Sequence, residues 1–313
     1  MFFSRTTAVL AAAGLATAGP IQKRDGINDG KVTVNASHMC ECIILNYALT
    51  LEHLEDTFYR EGLAKFSEQD FAAAGFDSTF YNNIKRVSGD EKDHVDFLTS
   101  ALKAAGVTPV AECKYDFGYK DVKTFLATAS VLEGVGVSAY LGAAADIMSK
   151  TYLTAAGSIL TVEARHSASL RSGLKQVPFP QPFDTPLSIN EVYSLASQFI
   201  TSCPKENPAL PVKAFPKLTL DPGMAKSMMA GDVVTFQTPG YTLQAPEGST
   251  QVYAAFIAVT GPTFVPATPV NGGYSVKIPE GFAGQTYVVL TGCNESVTDD
   301  TVAAGPAIIE ISN

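Results

Sequence analysis

Two short segments, Glu91-Lys-Asp-His94 and Glu163-Ala-Arg-His166, each place a carboxylate and an imidazole three residues apart. In both regions apolar residues recur at three- and four-residue steps, which predicts helices. Residues three apart share a helix face, so each segment presents one carboxylate and one imidazole to the same point. Each segment is therefore half of a candidate metal site.

Two other helical segments carry a matching pair of residues. Glu52 and Tyr59 are seven residues apart in one segment, and Glu133 and Tyr140 are seven apart in the other. Seven residues are close to two helical turns, so each glutamate and its tyrosine face the same way. The chain thus repeats one unit, in which a Leu-Glu-x6-Tyr helix is followed by a Glu-x-x-His helix.

The apolar spacing and the helix stop signals divide residues 37–204 into four long helices and one short helix. A polar stretch, Gly106–Lys120, would form a long crossover between the second and third long helices, which is the ferritin-like up-down topology. The expected helices are His38–Lys65, Ser78–Ala105, Asp121–Met148, Thr151–Leu174 and the short Ile189–Thr201.

In ferritin-like di-iron and di-manganese proteins, two helices each give one glutamate and two others each give a Glu-x-x-His pair. Four carboxylates in one core raise one another's pKa, and two divalent cations would balance their charge. Oxygen-rich ligation with two imidazoles suits two Fe or Mn ions, and the absence of thiolates argues against structural zinc. By analogy with this class, Glu91 and Glu163 would bridge the metals. The predicted ligands are Glu52, Glu91, His94, Glu133, Glu163 and His166.

Alternatives remain at several of these positions. Glu55 lies one turn from Glu52 and could replace it, although Gly136, the equivalent position after Glu133, has no acid. Tyr59 and Tyr140 are either groups close to the metals or plain core tyrosines. The other two histidines, His38 and His53, have no glutamate at the required spacing and are expected at the surface or behind the ligands.

After Cys203 the composition changes to prolines and then to segments rich in Val, Thr, Tyr and Phe between Gly and Pro turns. We therefore predict an α+β multidomain chain: the bundle at 37–204, a linker at 205–211 and a small antiparallel β-sandwich at 212–313. This second part has no histidine and no carboxylate cluster, which favours a packing or wall-binding module. The expected strands are Asp232–Thr238, Gln251–Val259, Tyr274–Ile278, Thr286–Thr291 and Ala307–Ile311.

The amino terminus has the pattern of a secretory signal peptide at 1–18, followed by a leader at 19–36 with a dibasic Lys23-Arg24. Sequons at Asn35 and Asn294 fit the same route to a glycoprotein. We expect no transmembrane anchor, because no later segment is expected to reach the length that spans a bilayer. The sequence therefore predicts a secreted protein, outside the cell or in its wall.

The charge and the cysteines limit the function further. Formal net charge is -9, and loss of residues 1–24 would bring it to -12, which disfavours nucleic acid as a partner. The five cysteines would meet an oxidising compartment, and their odd number leaves at least one outside an internal disulfide. A Cys113–Cys203 bridge is favoured, but the pairing does not follow from the sequence.

The segments Leu45–Tyr59 and Val131–Ala144, together with the Glu-x-x-His pairs, resemble a family of fungal secreted ferritin-like proteins. That family is associated with stress response and late sexual development, and plant desiccation-related proteins are more distant relatives. The resemblance covers the helical part and, more loosely, the β-part. It implies the ferritin-like fold and a role in stress or development.

Three functions fit these features. One is a redox enzyme, such as an oxidase, ferroxidase or catalase-like protein, in which two metals react with O2 or peroxide. Another is a non-enzymatic wall, spore or stress-protective protein with a structural or vestigial metal site. Iron storage in a cage is less favoured, because the β-part and glycans would obstruct closed packing. The sequence leaves open the metal, the substrate, whether the protein is an enzyme and its oligomeric state.

Overall fold

In the computed structural model of the protein, the described residues are 35–224, 228–243 and 251–312, with side chains from Cys42 onward. The chain divides into a first unit, Met1–Ala36, and a second, Ser37–Asn313. The predicted signal peptide and dibasic pair lie outside the described residues, as does the side chain of Asn35.

The four predicted long helices are present, with one unpredicted short helix between the first two. Polar side chains begin most of them: Asp77, Asp121 and Ser149 each accept a hydrogen bond from a backbone N–H of the first turn. The short extra helix begins at Ser67 with a capping box. The helices are α1 Asn35–Lys65, α2 Glu68–Ala73, α3 Ser78–Ala104, α4 Val122–Ala143, α5 Lys150–Gly173 and α6 Ile189–Ala196.

Two predicted helix ends are wrong. The third long helix ends at Ala143 rather than Met148, and a 3₁₀ turn at Ala144–Asp146 follows it. The short helix ends at Ala196 rather than Thr201, because Ile200–Ser202 forms a strand, β2, that pairs with β1, Lys114–Tyr115.

The long crossover between α3 and α4 is present and is held near its start and near its middle. Asn46 of α1 donates to the carbonyl of Thr108 and accepts from the N–H of Val110. Farther along the crossover, Cys113 forms a disulfide with Cys203, directly after β2. The favoured cysteine pairing is therefore the one in the structure, and it ties the crossover to the end of the helical part.

The carboxyl-terminal part is antiparallel β-structure, so the predicted α+β class is confirmed. Seven strands form one sheet in the order β3-β4-β7-β6-β5-β8-β9, and it curls until a bridge between Met228 and Ile311 nearly closes it like a barrel. The strands are β3 Thr219–Leu220, β4 Val233–Gln237, β5 Val252–Phe256, β6 Thr263–Val270, β7 Gly273–Lys277, β8 Gly284–Thr291 and β9 Val302–Ile311.

Strand β8 shows how the sheet joins the helices. Its residues alternate between two cores: Tyr287 and Val289 belong to the core shared with the helices, and Val288 and Leu290 to the interior of the sheet. Successive side chains of a strand point to opposite faces, so a strand covered on both sides is apolar throughout. One hydrophobic core therefore runs from the helices onto the outer face of β8.

Helix α4 is central in the helical part. The stretch Val122–Asp146 is long and apolar enough to span a membrane by length and composition alone, contrary to the expectation that no later segment would be. Two-thirds of its most apolar window is buried inside the protein, as in the core helix of a bundle. The core position accounts for its composition.

Candidate metal centre

The structure brings the six predicted ligands together inside the bundle. Helix α1 supplies Glu52 and α4 supplies Glu133, while α3 and α5 supply the two Glu-x-x-His pairs. All four glutamates are completely shielded from solvent, and both imidazoles are buried. The repeated sequence unit thus folds into a site with one half from each helix pair. Their role as metal ligands stays a prediction.

The ligand atoms form two overlapping groups. One group consists of Glu52, Glu91, His94 and Glu163, and the other of Glu91, Glu133, Glu163 and His166. In each group the candidate atoms lie within 4.8 Å of one another. Glu91 and Glu163 belong to both, which is the arrangement expected of carboxylates between two metals. The two groups are compatible with a dinuclear metal site.

The contacts of the two histidines match across the site. The Nδ1 atom of His94 lies 3.2 Å from Oε2 of Glu52 and 3.2 Å from Oε2 of Glu91. The Nδ1 atom of His166 lies 3.0 Å from Oε1 of Glu91 and 3.3 Å from Oε2 of Glu133. Each imidazole therefore faces Glu91 and the single glutamate of one partner helix.

The two tyrosines cross-link the single glutamates. Tyr59 of α1 donates its hydroxyl proton to Glu133 of α4, and Tyr140 of α4 donates to Glu52 of α1. Burial, and then the nearby glutamate charge, raise the pKa of both phenols well above 10, so both remain donors. These tyrosines are therefore part of the polar site rather than plain core residues.

Without cations, burial and the neighbouring charges shift the pKa values of the clustered glutamates and histidines. Burial and then the charge of Glu133 raise the pKa of Glu91 to about 7, and burial and then the charge of Glu91 raise the pKa of Glu163 well above its ordinary value. Burial opposes a charge on His166, but its contacts with Glu133 and Glu91 prevail and raise its pKa to about 11. The metal-free site is thus balanced by protons on imidazoles and carboxylates, which divalent cations would displace.

Several buried atoms of the cluster touch one another without forming a hydrogen bond. Such atoms usually cost free energy, because buried polar groups are normally paired. Inward-facing lone pairs from carboxylates and an imidazole are what Fe or Mn would use, so the residues fit two such ions. Among the described residues these atoms are Glu91 Oε1, Glu133 Oε2, both carboxylate oxygens of Glu163, and Nδ1 of His166.

The alternative ligand, Glu55, takes a different position. It is buried, yet it is absent from both groups of candidate ligand atoms, whereas Glu52 contacts His94 and Tyr140. A Cβ atom at Gly136 would lie 3.1 Å from Oε1 of Glu55 and 2.8 Å from Oε2 of Glu163. Gly136 therefore makes room for Glu55 beside the site, and the geometry favours Glu52 in the ligand set.

Two further side chains complete the surroundings. The Nε2 atom of His166 lies 3.3 Å from Asp90, a residue that the sequence analysis did not select. A carboxylate on the outer nitrogen is a common way to orient a metal-binding histidine, and adjacency to Glu91 was its only sequence signal. His53 contacts the carbonyl of Val110 through Nε2 and so holds the crossover. The side chain of His38 lies outside the described ones.

Comparisons with known proteins bear on the helical part of the chain. Residues 41–176, which carry all six predicted ligands, match the ferritin-like domain family, so the helical part is a ferritin-like domain. Protein rds1 of Schizosaccharomyces pombe is 29% identical over 279 residues, or 89% of this chain. The chain spans 64% of the length of that relative. Together they confirm the resemblance to ferritin-like proteins of fungi.

Among solved structures, a conserved hypothetical protein from Mycobacterium tuberculosis matches 47% of this chain and 99% of its own length. The two are 18% identical, and the TM-score is 0.38. At that score the likeness carries no argument about fold or function.

Proposed function

We propose that the protein binds two Fe or two Mn ions between α1, α3, α4 and α5 and uses them to react with O2 or peroxide. The observation that carries the proposal is the pair of buried ligand groups that share Glu91 and Glu163. Four carboxylates with two imidazoles would hold two dications at low net charge, whereas the same residues without cations must keep protons.

The protein's own residues would orient and tune the ions. Bound Fe or Mn would supply the electrons that reduce O2 or peroxide. Tyr59 and Tyr140 would restrict the rotation of the Glu133 and Glu52 carboxylates. Each phenol would keep its proton beside the carboxylate that it contacts. Asp90 would orient His166 from the outer side. The surrounding apolar core would keep bulk water away from the reacting atoms.

The second candidate is a non-enzymatic protein in which the metals only join the four helices. The observation in its favour is that one buried cluster links α1, α3, α4 and α5, with its four glutamates completely shielded from solvent. Metal binding to such a cluster contributes directly to folding free energy. In this case metal would raise stability strongly, and the protein would not react with O2 or peroxide.

The location follows as part of the same proposal. The signal sequence at 1–18 and the Cys113–Cys203 disulfide support secretion, since disulfides persist in oxidising compartments. We propose that the mature protein works outside the cell or at its wall, as a monomer or an oligomer, in stress or development. Asn294 would carry a glycan on that route.

The deciding experiment is metal analysis of the secreted protein, followed by addition of Fe(II) and O2 or peroxide to the metal-free protein. The proposal predicts about two Fe or Mn per chain and an optical change that requires oxygen or peroxide. A Glu91→Ala/Glu163→Ala variant should lose both, while His53→Ala, on the same helix as Glu52, should keep both. Stoichiometric metal with no optical change would favour the second candidate, and no metal would overturn both.

A further inference from the structure

A cavity of about 230 Å³ lies where the helical part meets the β-sheet. We call it the seam cavity. Its walls come from α1, α4, the end of α6 and the strands β3 and β9, and most of the lining side chains are aliphatic, including Leu54, Leu132 and Leu218. Its volume is below the roughly 300–1,000 Å³ of sites for drug-sized ligands, so it suits a small molecule.

One end of the seam cavity touches the metal centre. Glu55 and Gly136 both line the cavity, and Glu55 is the only charged residue among the described ones that line it. Behind Gly136 lies the Glu163 carboxylate, so close that a Cβ on Gly136 would be 2.8 Å from Oε2. The absence of a side chain at Gly136 therefore leaves only backbone between the cavity and a predicted bridging ligand.

The two halves of the repeated unit differ at this point. Glu55 follows Glu52 by three residues, as Gly136 follows Glu133, so one half has a buried acid where the other has a glycine. Glu55 is 3% exposed, and the charged groups that act on its carboxylate are other acids, Glu163 and Glu91 first, rather than a cation. A buried acid among other acids, at the wall of an apolar cavity, suits an uncharged ligand with one polar end.

We infer that the seam cavity binds the organic substrate of the metal centre, a small aliphatic or alicyclic molecule with one uncharged hydroxyl or carbonyl group. The polar end would meet Glu55, and the apolar body would pack among the leucines of α1, α4 and β3. That the bound molecule is a substrate rests on the proposed function. Its binding requires only the cavity and Glu55.

The chain contains no tryptophan, which permits a clean test. Phe199 lines the seam cavity and is partly exposed, so Phe199→Trp places a single fluorophore there. Phe183 is 62% exposed and does not line it, so Phe183→Trp is the matched control. The probes are cyclohexylmethanol and ethylcyclohexane, each added to the metal-free and to the metal-loaded protein. The two are similar in shape, and the hydroxyl group of the first is replaced by a methyl group in the second.

We expect a saturable change of emission with cyclohexylmethanol in Phe199→Trp and none in Phe183→Trp. In the Phe199→Trp protein, a further Glu55→Leu substitution should lower the ratio of alcohol to hydrocarbon affinity by about tenfold, because one buried hydrogen bond is lost. Glu55→Gln in place of Glu55→Leu should keep the original ratio. Adding Ala196→Leu, which fills the cavity from α6, should abolish the change in emission. Helical circular dichroism and metal content verify that each variant is folded.

The inference is overturned if Phe199→Trp gives no saturable change, if both reporters respond alike, or if Glu55→Leu leaves the affinity ratio unchanged. Its failure is distinguishable from failure of the proposed function. Binding to the metal-free protein measures the cavity alone, whereas metal stoichiometry and the reaction with O2 or peroxide measure the metal centre.

Discussion

At the scale of single residues, Glu91 contributes to the pH dependence of the metal-free site. Burial and the charge of Glu133 raise its pKa from 4.5 to about 7. A pKa raised in the folded state gives stability that is complete below the unfolded pKa and is lost as the pH rises through the folded pKa. The pKa of His166, which is raised to about 11, makes stability fall with rising pH in the same way, but at higher pH.

We therefore expect metal-free protein to lose thermal stability relative to Glu91→Gln as the pH rises from about 5 to about 7. Glutamine stands for the protonated acid and does not titrate. The difference in Tm should widen by on the order of a few degrees across this range. Differential scanning calorimetry of both forms in chelator measures it, and parallel Tm curves would show that Glu91 is not the titrating group.

The tyrosine at position 59 gives the second residue-scale prediction. Tyr59→Phe removes the donor that orients Glu133 and should weaken metal binding by about 10–100-fold, as for other groups behind metal ligands. Tyr47→Phe is the control: Tyr47 lies on the same helix, is equally buried, and its hydroxyl has no partner among the described residues.

Metal affinity is measured by competition with a chelator. The expected result is a weakened Tyr59→Phe and an unchanged Tyr47→Phe. Equal affinities for both variants would mean that the phenol proton does not position Glu133.

At the scale of secondary-structure elements, close backbone approach fixes α4. Gly142 packs against the segment before α6, where a Cβ would be 1.9 Å from the carbonyl oxygen of Leu187. A Cβ atom added at Gly157 of α5 would have no neighbouring atom within 4 Å. These two helical glycines therefore have opposite consequences when replaced.

Gly142→Ala should lower the free energy of unfolding by about 1–3 kcal/mol, because the backbone must move. Gly157→Ala should raise it by up to about 1 kcal/mol, because alanine favours the helix. Urea unfolding followed by circular dichroism measures both. A neutral Gly142→Ala would show that the contact with Leu187 relaxes easily.

The same elements show what could be predicted from sequence. The long helices and the clustering of the Glu-x-x-His pairs were predictable, because both depend on periodicity within one helix and on one repeated unit. Strand β6 was not, since Pro266 and Pro269 disfavour a strand, yet it pairs with β5 along its first part and with β7 along its last. Asp90 and the seam cavity depend on which helices and strands meet, which no local pattern records.

At the scale of the whole molecule, polar contacts hold the sheet against the bundle. The hydroxyl of Tyr287 on β8 donates to the carbonyl of Gly134 and accepts from Ser138, both on α4. Gly134 and Ser138 flank Gly136 in the helix that carries Glu133. The sheet thus supports the helix that carries Glu133, on a different face from that of Gly136.

An ion pair between Arg171 of α5 and Glu310 of β9 crosses this boundary. Two hydrogen bonds, of 2.7 and 3.1 Å, join the guanidinium to the carboxylate. The Arg171 side chain is 7% exposed and that of Glu310 is 22% exposed. Loss of Glu310 alone would leave a buried cation without its partner, which costs more than loss of both charges.

A double-mutant cycle with Arg171→Met and Glu310→Gln should therefore give a coupling of about 1–3 kcal/mol, reduced by the partial exposure of Glu310. Lys92 and Asp96 form the control cycle, because this pair is exposed and lies within α3 alone. Urea unfolding, followed by helical circular dichroism and by hydrogen exchange in the β-strands, measures both cycles. If Arg171 and Glu310 couple the two parts, the circular dichroism and the hydrogen-exchange transitions shift together in the single variants. A shift confined to the strands would show that the helices and the sheet unfold independently.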